Sequence, residues 1–167
     1  MTSVPASKPG VQERILLHLR DYVDHADKVE VPFALSQMGI ANAVSIARSN
    51  VPRAISGLRD QGYLIERQAH VTGVSRKRKA YFLTDDGAKL ADDIWSKVGM
   101  QIVRVIGHDG RSSTMELQKA LESTELPLRH VDVIRYLDDS GTIDFSSLSS
   151  DLIERDLSKH IEKQLVT

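Results

Sequence analysis

The sequence predicts a mainly helical α+β chain: several short helices, a basic β-hairpin, and then a small hairpin-and-helix region. In several segments the apolar residues recur every three or four positions, which is typical of amphipathic helices. Two runs rich in β-branched and aromatic residues, "YLIERQAHV" at 63–71 and "KAYFLT" at 79–84, flank a short loop that contains Gly73. This arrangement predicts a hairpin. The 167 residues suffice for one ordinary domain or two small ones.

The composition excludes several classes of protein. The chain has no cysteine, which rules out disulfides, thiol nucleophiles and thiolate metal sites. The first ten residues lack the apolar core of a secretory signal, and no apolar run approaches the ~20 residues of a membrane span. We therefore expect a soluble, cytoplasmic protein with no membrane partner.

The near-neutral net charge of −1 hides an uneven distribution. Residues 48–84 carry eight basic and two acidic side chains, for a net charge of +6. Residues 1–47 have a net charge of −1, and residues 85–167 have a net charge of −6. A basic segment inside a neutral chain indicates that one face meets a polyanion.

The first elements follow from local signals. Residues 1–10 hold two prolines and a glycine, and we expect a flexible arm. The apolar spacing of "VQERILLHLRDYVDHA" at 11–26 predicts a helix. In "KVEVPF" at 28–33, Pro32 prevents a helix and the β-branched residues favour a brief edge strand. Ser36 is a suitable N-cap for a helix over "QMGIANAV" at 37–44.

A third helix is predicted over "SNVPRAISGLRDQ" at 49–61. Proline is tolerated only in the first helical turn, so Pro52 places the start near Ser49 or Asn50. Gly62 stands where a helix-ending glycine belongs. Two short helices joined by a tight turn are typical of a helix-turn-helix, and the hairpin that follows would be its wing. A further helix would begin after Thr84.

These motifs carry a family resemblance. Residues 11–97 resemble the winged helix-turn-helix domains of MarR-like regulators, on the pattern "GIA…RSNV…R…L…G.L.ER.AHV.GV.R.RK.YFLT". The stretch at 31–84 looks closest to a variant associated with archaeal DNA-binding proteins, in which the domain often precedes an ATPase module. The chain departs from the pattern at Ala47, where a capping serine is usual, and at Pro52. The resemblance implies a transcriptional regulator that binds double-stranded DNA.

The outer face of the third helix is small and polar, so it can enter a major groove about 12 Å wide. Arg53 can fork onto guanine, and Asn50 can pair with adenine. Basic and hydroxyl groups nearby are better suited to phosphates. The candidate residues of this face are Arg48, Ser49, Asn50, Pro52, Arg53 and Ser56. The alternative is an ordinary solvated helix face.

The loop "TGVSRKRK" at 72–79 places four cations at the tip of the predicted wing, namely Arg76, Lys77, Arg78 and Lys79. A hairpin tip cannot bury them, so we expect them to contact phosphates or to reach into the minor groove. His70 in the preceding strand can also donate to a phosphate, and an inert surface role is the alternative for it. The alternative is a loop that only serves solubility.

The acidic remainder, 98–167, is predicted to hold a hairpin turning at His108–Gly110, several helices and a strand "TIDF". Ser113 and Glu116 fit a capping box for a helix over "MELQKALEST", and Pro127 can start the next one. A final helix carries a broad apolar stripe, which is formed by Leu148, Leu152, Leu157, Ile161 and Leu165. Terminal helices form the two-fold interface in MarR-like proteins, so the resemblance implies a homodimer. The acidic surface also suits a protein partner.

No catalytic motif or metal motif is present, and we expect no enzymatic activity, metal or cofactor. The six histidines are scattered, and we expect His18 and His25, two turns apart on the first helix, to be ordinary surface residues. Two other functions stay open: a winged helix that docks proteins, and the DNA-binding front end of an ATPase regulator. RNA binding is disfavoured because the basic stretch offers no aromatic stacking platform.

Overall fold

The computed structural model describes residues 9–124 and 128–147, which fall into two compact units. Of the described residues, one unit contains 9–99 together with 129–135, and the other contains 100–124, 128 and 136–147. The helices are α1 Val11–Arg20, α2 Gln37–Val44, α3 Val51–Asp60, α4 Asp85–Gly99, α5 Leu117–Ser123 and α6 His130–Arg135. The strands are β1 Glu30–Val31, β2 Leu64–Val71, β3 Arg78–Leu83, β4 Ile102–Ile106, β5 Ser112–Glu116 and β6 Thr142–Asp144.

The sheet of the first unit confirms the predicted hairpin and short strand. Its order is β1-β2-β3, with β1 parallel to β2 and β2 antiparallel to β3. Leu64 lies opposite Leu83, and Val31 lies opposite Val71. Gly73 has a φ of +83°, a left-handed conformation that glycine adopts without strain, and it turns the chain after β2.

Helix α2 begins where the sequence predicts. The Ser36 hydroxyl accepts a hydrogen bond from the Gly39 amide at 3.1 Å and donates one to the Phe33 carbonyl at 2.6 Å. A Cβ atom at position 39 would lie 2.1 Å from that carbonyl, so only glycine allows the 3₁₀ turn Phe33–Leu35 to approach α2 this closely. The cap therefore fixes both the start of α2 and the turn that precedes it.

Helix α3 is observed where the sequence predicts one, but it spans Val51–Asp60 and not 49–61. A 3₁₀ turn at Arg48–Asn50 leads directly into it, and Pro52 lies in its first turn, where proline is tolerated. Its end is a Schellman motif, with Gly62 at a φ of +83° and hydrogen bonds from Gly62 N to Arg59 O and from Tyr63 N to Leu58 O. The side chains that face the core are Val51, Ile55 and Leu58.

The remaining helices complete a winged helix-turn-helix. The Thr84 hydroxyl caps α4 by accepting from the Gly87 amide at 3.1 Å, and it donates to the Gly62 carbonyl at 2.7 Å. Helix α1 contributes a fully buried face to the core, formed by Ile15, Leu16, Leu17 and Leu19. The fold is therefore the predicted α+β class, with α2 and α3 as the helix-turn-helix and β2–β3 as the wing.

In the second unit, β4 lies between antiparallel β5 and parallel β6. The hairpin turn and the strand within "TIDF" are confirmed; Gly110 in the turn has a φ of +80°. The predicted capping box is wrong, because Ser113 and Glu116 belong to β5 and pair with β4, and α5 begins after them without a side-chain cap.

The predicted final helix, with Leu148, Leu152, Leu157, Ile161 and Leu165, lies outside the described residues. Within residues 9–124 and 128–147, no helix is both long enough and apolar enough to cross a membrane.

Candidate nucleic-acid interface

The outer side of α3 and the turn before it present polar groups to solvent. Arg48, Ser49, Asn50, Pro52 and Arg53 are exposed. Ser56, one turn further along, is half-buried. Because the opposite stripe of α3 packs into the core, this polar face is fixed in orientation and not free to rotate inward.

The basic side chains of the wing are exposed, and no carboxylate of the described residues pairs with them. Arg76 and Lys77 lie in the loop, Arg78 and Lys79 open β3, and all four are exposed. Among the residues that the structure describes, none of these side chains forms an ion pair or a hydrogen bond, and the same holds for Arg48 and Arg53. Six cations on one unit are therefore available to an external anion.

An open groove of about 590 Å³ brings the helix-turn-helix and the wing together. Four of the predicted DNA-binding residues line it: Arg48, Lys77, Arg78 and Lys79. The remaining lining residues are Phe33, Ser36, Gln37, Met38, Gln68 and Val74. No carboxylate is among them, so the groove has a strongly positive potential.

The other predicted site residues lie outside the groove lining; these are Ser49, Asn50, Pro52, Arg53, Ser56, His70 and Arg76. His70 is exposed on β2, in register with Glu30 of β1. Sequence reasoning missed Phe33 and Met38, whose side chains are 40% and 42% exposed. The sequence does show an apolar residue on either side of the Ser36 cap. That pattern, however, does not distinguish a residue of a groove wall from a residue of the core.

The strands beneath the groove are held by polar contacts. Gln37 Nε2 donates to the buried Tyr81 hydroxyl at 3.0 Å, and burial raises the pKa of that hydroxyl. Arg67 donates to the carbonyls of Ala26 and Lys28 at 2.8 and 2.9 Å, and its guanidinium lies 4.5 Å from the centre of the Phe82 ring. The first contact fastens β3 to α2, the Arg67 contacts fasten β2 to the segment before β1, and together they support the wing.

A second polar cluster joins α1 to Arg129, the residue directly before α6, within the same unit. His18 Nε2 donates to the Ala34 carbonyl at 2.7 Å, while Arg129 Nη2 donates to His18 Nδ1 at 2.9 Å. Arg129 Nε donates to Asp21 at 2.8 Å. The expectation that His18 is a surface residue is therefore wrong, because its ring is fully buried.

Burial, with a further contribution from the Arg129 charge, lowers the pKa of His18 to about 4. Burial also lowers the pKa of His130, which accepts a hydrogen bond from Arg20 at 3.0 Å and stacks on Trp95 at 4.1 Å. His18 thus stays neutral and holds one tautomer, which suits a structural role. Across the described parts of the chain, no cluster of three or more metal-capable side chains occurs.

No protein-family model and no curated protein matches this chain. Solved structures do match, and several are MarR-family proteins. The zinc-responsive MarR family member ZitR of Lactococcus lactis is 22% identical, with 52% of this chain and 51% of that chain covered and a TM-score of 0.40. MepR of S. aureus, crystallised with DNA, is 19% identical over 55% of this chain and 64% of that chain, with a TM-score of 0.42.

CouR of Rhodococcus jostii RHA1, crystallised with p-coumaroyl-CoA, is 18% identical over 53% of this chain and 54% of that chain, with a TM-score of 0.40. The matches therefore span between half and two thirds of each of these three proteins. The winged-helix assignment rests on this chain's own elements and sheet order, and the archaeal variant with an ATPase module stays a prediction.

Proposed function

We propose that this chain is a sequence-specific double-stranded DNA-binding protein that regulates transcription. The observation that carries the proposal is the shared groove, whose lining combines Arg48 from the turn before α3 with three wing cations and includes no carboxylate. A duplex offers one phosphate charge per ~1.7 Å of axis, so a cationic groove beside a polar helix face suits it well.

Each part of the surface has its own task in this proposal. Helix α3 enters the major groove, where Arg53 reads guanine and Asn50 reads adenine, with Pro52 on its flank. The phosphate contacts come from Arg48, Ser49 and Ser56, together with His70 on β2. The four wing cations, Arg76, Lys77, Arg78 and Lys79, lie along the backbone or in the minor groove and release counterions.

A homodimer is part of the proposal. The polar face of one α3 is too small for strong specificity, whereas two copies would read half-sites about 34–36 Å apart. We assign the dimer contacts to the apolar stripe of residues 148–165 and keep the acidic surface for a protein partner. Sedimentation at micromolar concentration tests this: a chain that ends at Ser147, which keeps β6 and lacks the stripe, should be a monomer, and a monomeric full chain would refute the dimer.

Selection of bound duplexes from a random library tests the proposed function. We expect enrichment of a palindrome, and loss of that enrichment in the Arg53→Ala variant. The matched control is Arg59→Ala, since Arg59 is an exposed arginine near the end of α3 that pairs with Glu66. A library that shows no enrichment with the wild-type chain would contradict the proposal and favour a protein-docking winged helix.

A further inference from the structure

Charge alone does not account for the groove between α2 and the wing. Besides four cations, its lining includes an aromatic ring and a thioether, and both are substantially exposed to solvent. A surface that only follows a phosphate backbone needs neither group, because phosphates contact cations, hydroxyls and backbone amides. Phe33 and Met38 instead offer an apolar face against which a flat group can stack.

Two amides lie in the same groove. Gln37 is oriented by its hydrogen bond to the buried Tyr81 hydroxyl, which engages its Nε2 and leaves the carbonyl oxygen free to accept. Gln68 is exposed on β2, directly opposite Lys79 of β3. Glutamine side chains pair with the edge of a base such as adenine, where a donor and an acceptor stand side by side.

We propose that the groove binds a nucleotide unit, with the base against Phe33 and Met38, its edge on the glutamines, and its phosphates on Arg48 and the wing cations. The volume of about 590 Å³ lies within the ~300–1,000 Å³ that is usual for ligand pockets. This chemistry has two sources: a free nucleotide that competes with DNA, or one nucleotide of the bound DNA whose base is turned out of the stack. The second source rests on the proposed function.

Calorimetric titration of the full chain with ATP, and separately with inorganic tripolyphosphate, tests the first source. The two ligands carry similar charge, and only ATP has a base. We expect ATP to bind at least tenfold more tightly, and Phe33→Ala to remove about tenfold of the ATP affinity without changing that of tripolyphosphate. The matched control is Ile65→Ala, because Ile65 is an exposed apolar residue of β2 outside the groove lining. This variant should change neither the ATP affinity nor the tripolyphosphate affinity.

Gln68→Ala provides an independent second variant, because that exposed side chain has no described packing role. This variant should weaken the binding of ATP and leave the affinity for tripolyphosphate unchanged. If ATP and tripolyphosphate bind equally to the wild-type chain, the free nucleotide is excluded as the source.

Duplex binding by the same variants tests the second source. A nucleotide of the DNA in the groove predicts that Phe33→Ala and Gln68→Ala weaken duplex binding while the slope of log affinity against log salt stays unchanged. The inference is overturned if ATP binds no more tightly than tripolyphosphate and neither Phe33→Ala nor Gln68→Ala weakens duplex binding. A wild-type chain that binds ATP through Phe33 but binds no duplex would refute the proposed function and leave this inference standing.

Discussion

Two groups of arginines in the winged-helix unit differ in what they contact. Arg20, Arg67 and Arg129 all hydrogen-bond to groups of the same unit. Four exposed arginines of the α3 region and the wing, Arg48, Arg53, Arg76 and Arg78, have no such side-chain contact within the described residues, whereas Arg59 of α3 pairs with Glu66. The first group holds the fold, while the second remains free for an external ligand.

The difference shows why net charge is a poor guide to function in this chain. A guanidinium that is already paired with a carboxylate adds nothing to the field that a polyanion meets, whereas an unpaired one on a surface without acids adds its full charge. Removing members of each group therefore tests this difference: the free arginines should affect DNA affinity, and the paired ones should affect folding stability.

The largest effect is expected from the wing. Replacing Arg76, Lys77, Arg78 and Lys79 with alanine should weaken binding to all duplexes alike. The slope of log affinity against log salt should flatten by about 0.9 for each lost phosphate contact, and thus by about 3.6 per subunit if all four contact phosphates. The measurement is fluorescence anisotropy with a labelled duplex from 50 to 300 mM salt, about a sixfold range.

The matched control for the wing variant replaces exposed lysines elsewhere on the unit, namely Lys28, Lys89 and Lys97. This variant should retain nearly the wild-type slope. Equal flattening in both variants would mean that DNA responds to overall charge and that the wing holds no special position.

The second effect concerns His18 and pH. Its folded-state pKa of about 4 lies below the unfolded value of 6.5, so the unfolded chain takes up a proton that the folded chain refuses. Stability from this group is present in full above about pH 6.5 and is lost as the pH falls toward 4, by about 3 kcal/mol in total. Denaturant unfolding at several pH values measures it.

The variant His18→Gln should flatten that pH dependence, because an amide can donate to the Ala34 carbonyl without titrating. The exposed His70→Gln is the control and should retain the wild-type profile. A wild-type stability that stays constant between pH 6.5 and 4 would refute the structural role of the neutral imidazole.

Arg129→Ala tests the paired group directly. It leaves His18 Nδ1 and the Asp21 carboxylate without this guanidinium, so the free energy of unfolding should fall by about 2–3 kcal/mol. The exposed pair between Arg59 and Glu66, 3.8 Å apart, provides the comparison, and Arg59→Ala should cost about 0.5 kcal/mol or less. If a folded Arg129→Ala protein lost duplex affinity, Arg129 would belong with the arginines that bind DNA and not with those that hold the fold.

The smallest effect is expected at Arg53. Arg53→Ala should cost about 1–3 kcal/mol on the selected palindrome and little on random duplex, without changing stability, because the side chain is exposed and unpaired. Competition binding with the two duplexes measures it. Equal losses on both would demote Arg53 to a phosphate contact and leave Asn50 as the reader.

The elements that could be predicted are those with local causes. The Ser36 cap, Pro52 in the first turn of α3 and Gly62 after its end each act within a few residues of themselves. The exposure of the wing cations follows from the same kind of reasoning, since a hairpin tip cannot bury them. Composition and spacing were sufficient for these features.

The features that the sequence did not predict depend on contacts with residues elsewhere in the chain. The buried His18 ring accepts a hydrogen bond from Arg129, which lies 111 residues away in the chain, and no feature of the first helix predicts that contact. Phe33 lines the groove together with Lys79 of β3, a residue far from it in the chain. The spacing of Ser113 and Glu116 does match a capping box, but pairing with β4 satisfies their backbone groups instead.

The most direct test of the account is the salt dependence of duplex affinity for three proteins side by side: wild type, the wing variant and Arg129→Lys. The account predicts a steep negative slope for the wild type, a flatter slope and weaker binding for the wing variant, and a wild-type slope for Arg129→Lys. A wing variant whose slope equals that of the wild type would contradict the claim that the unpaired cations are the DNA-binding surface.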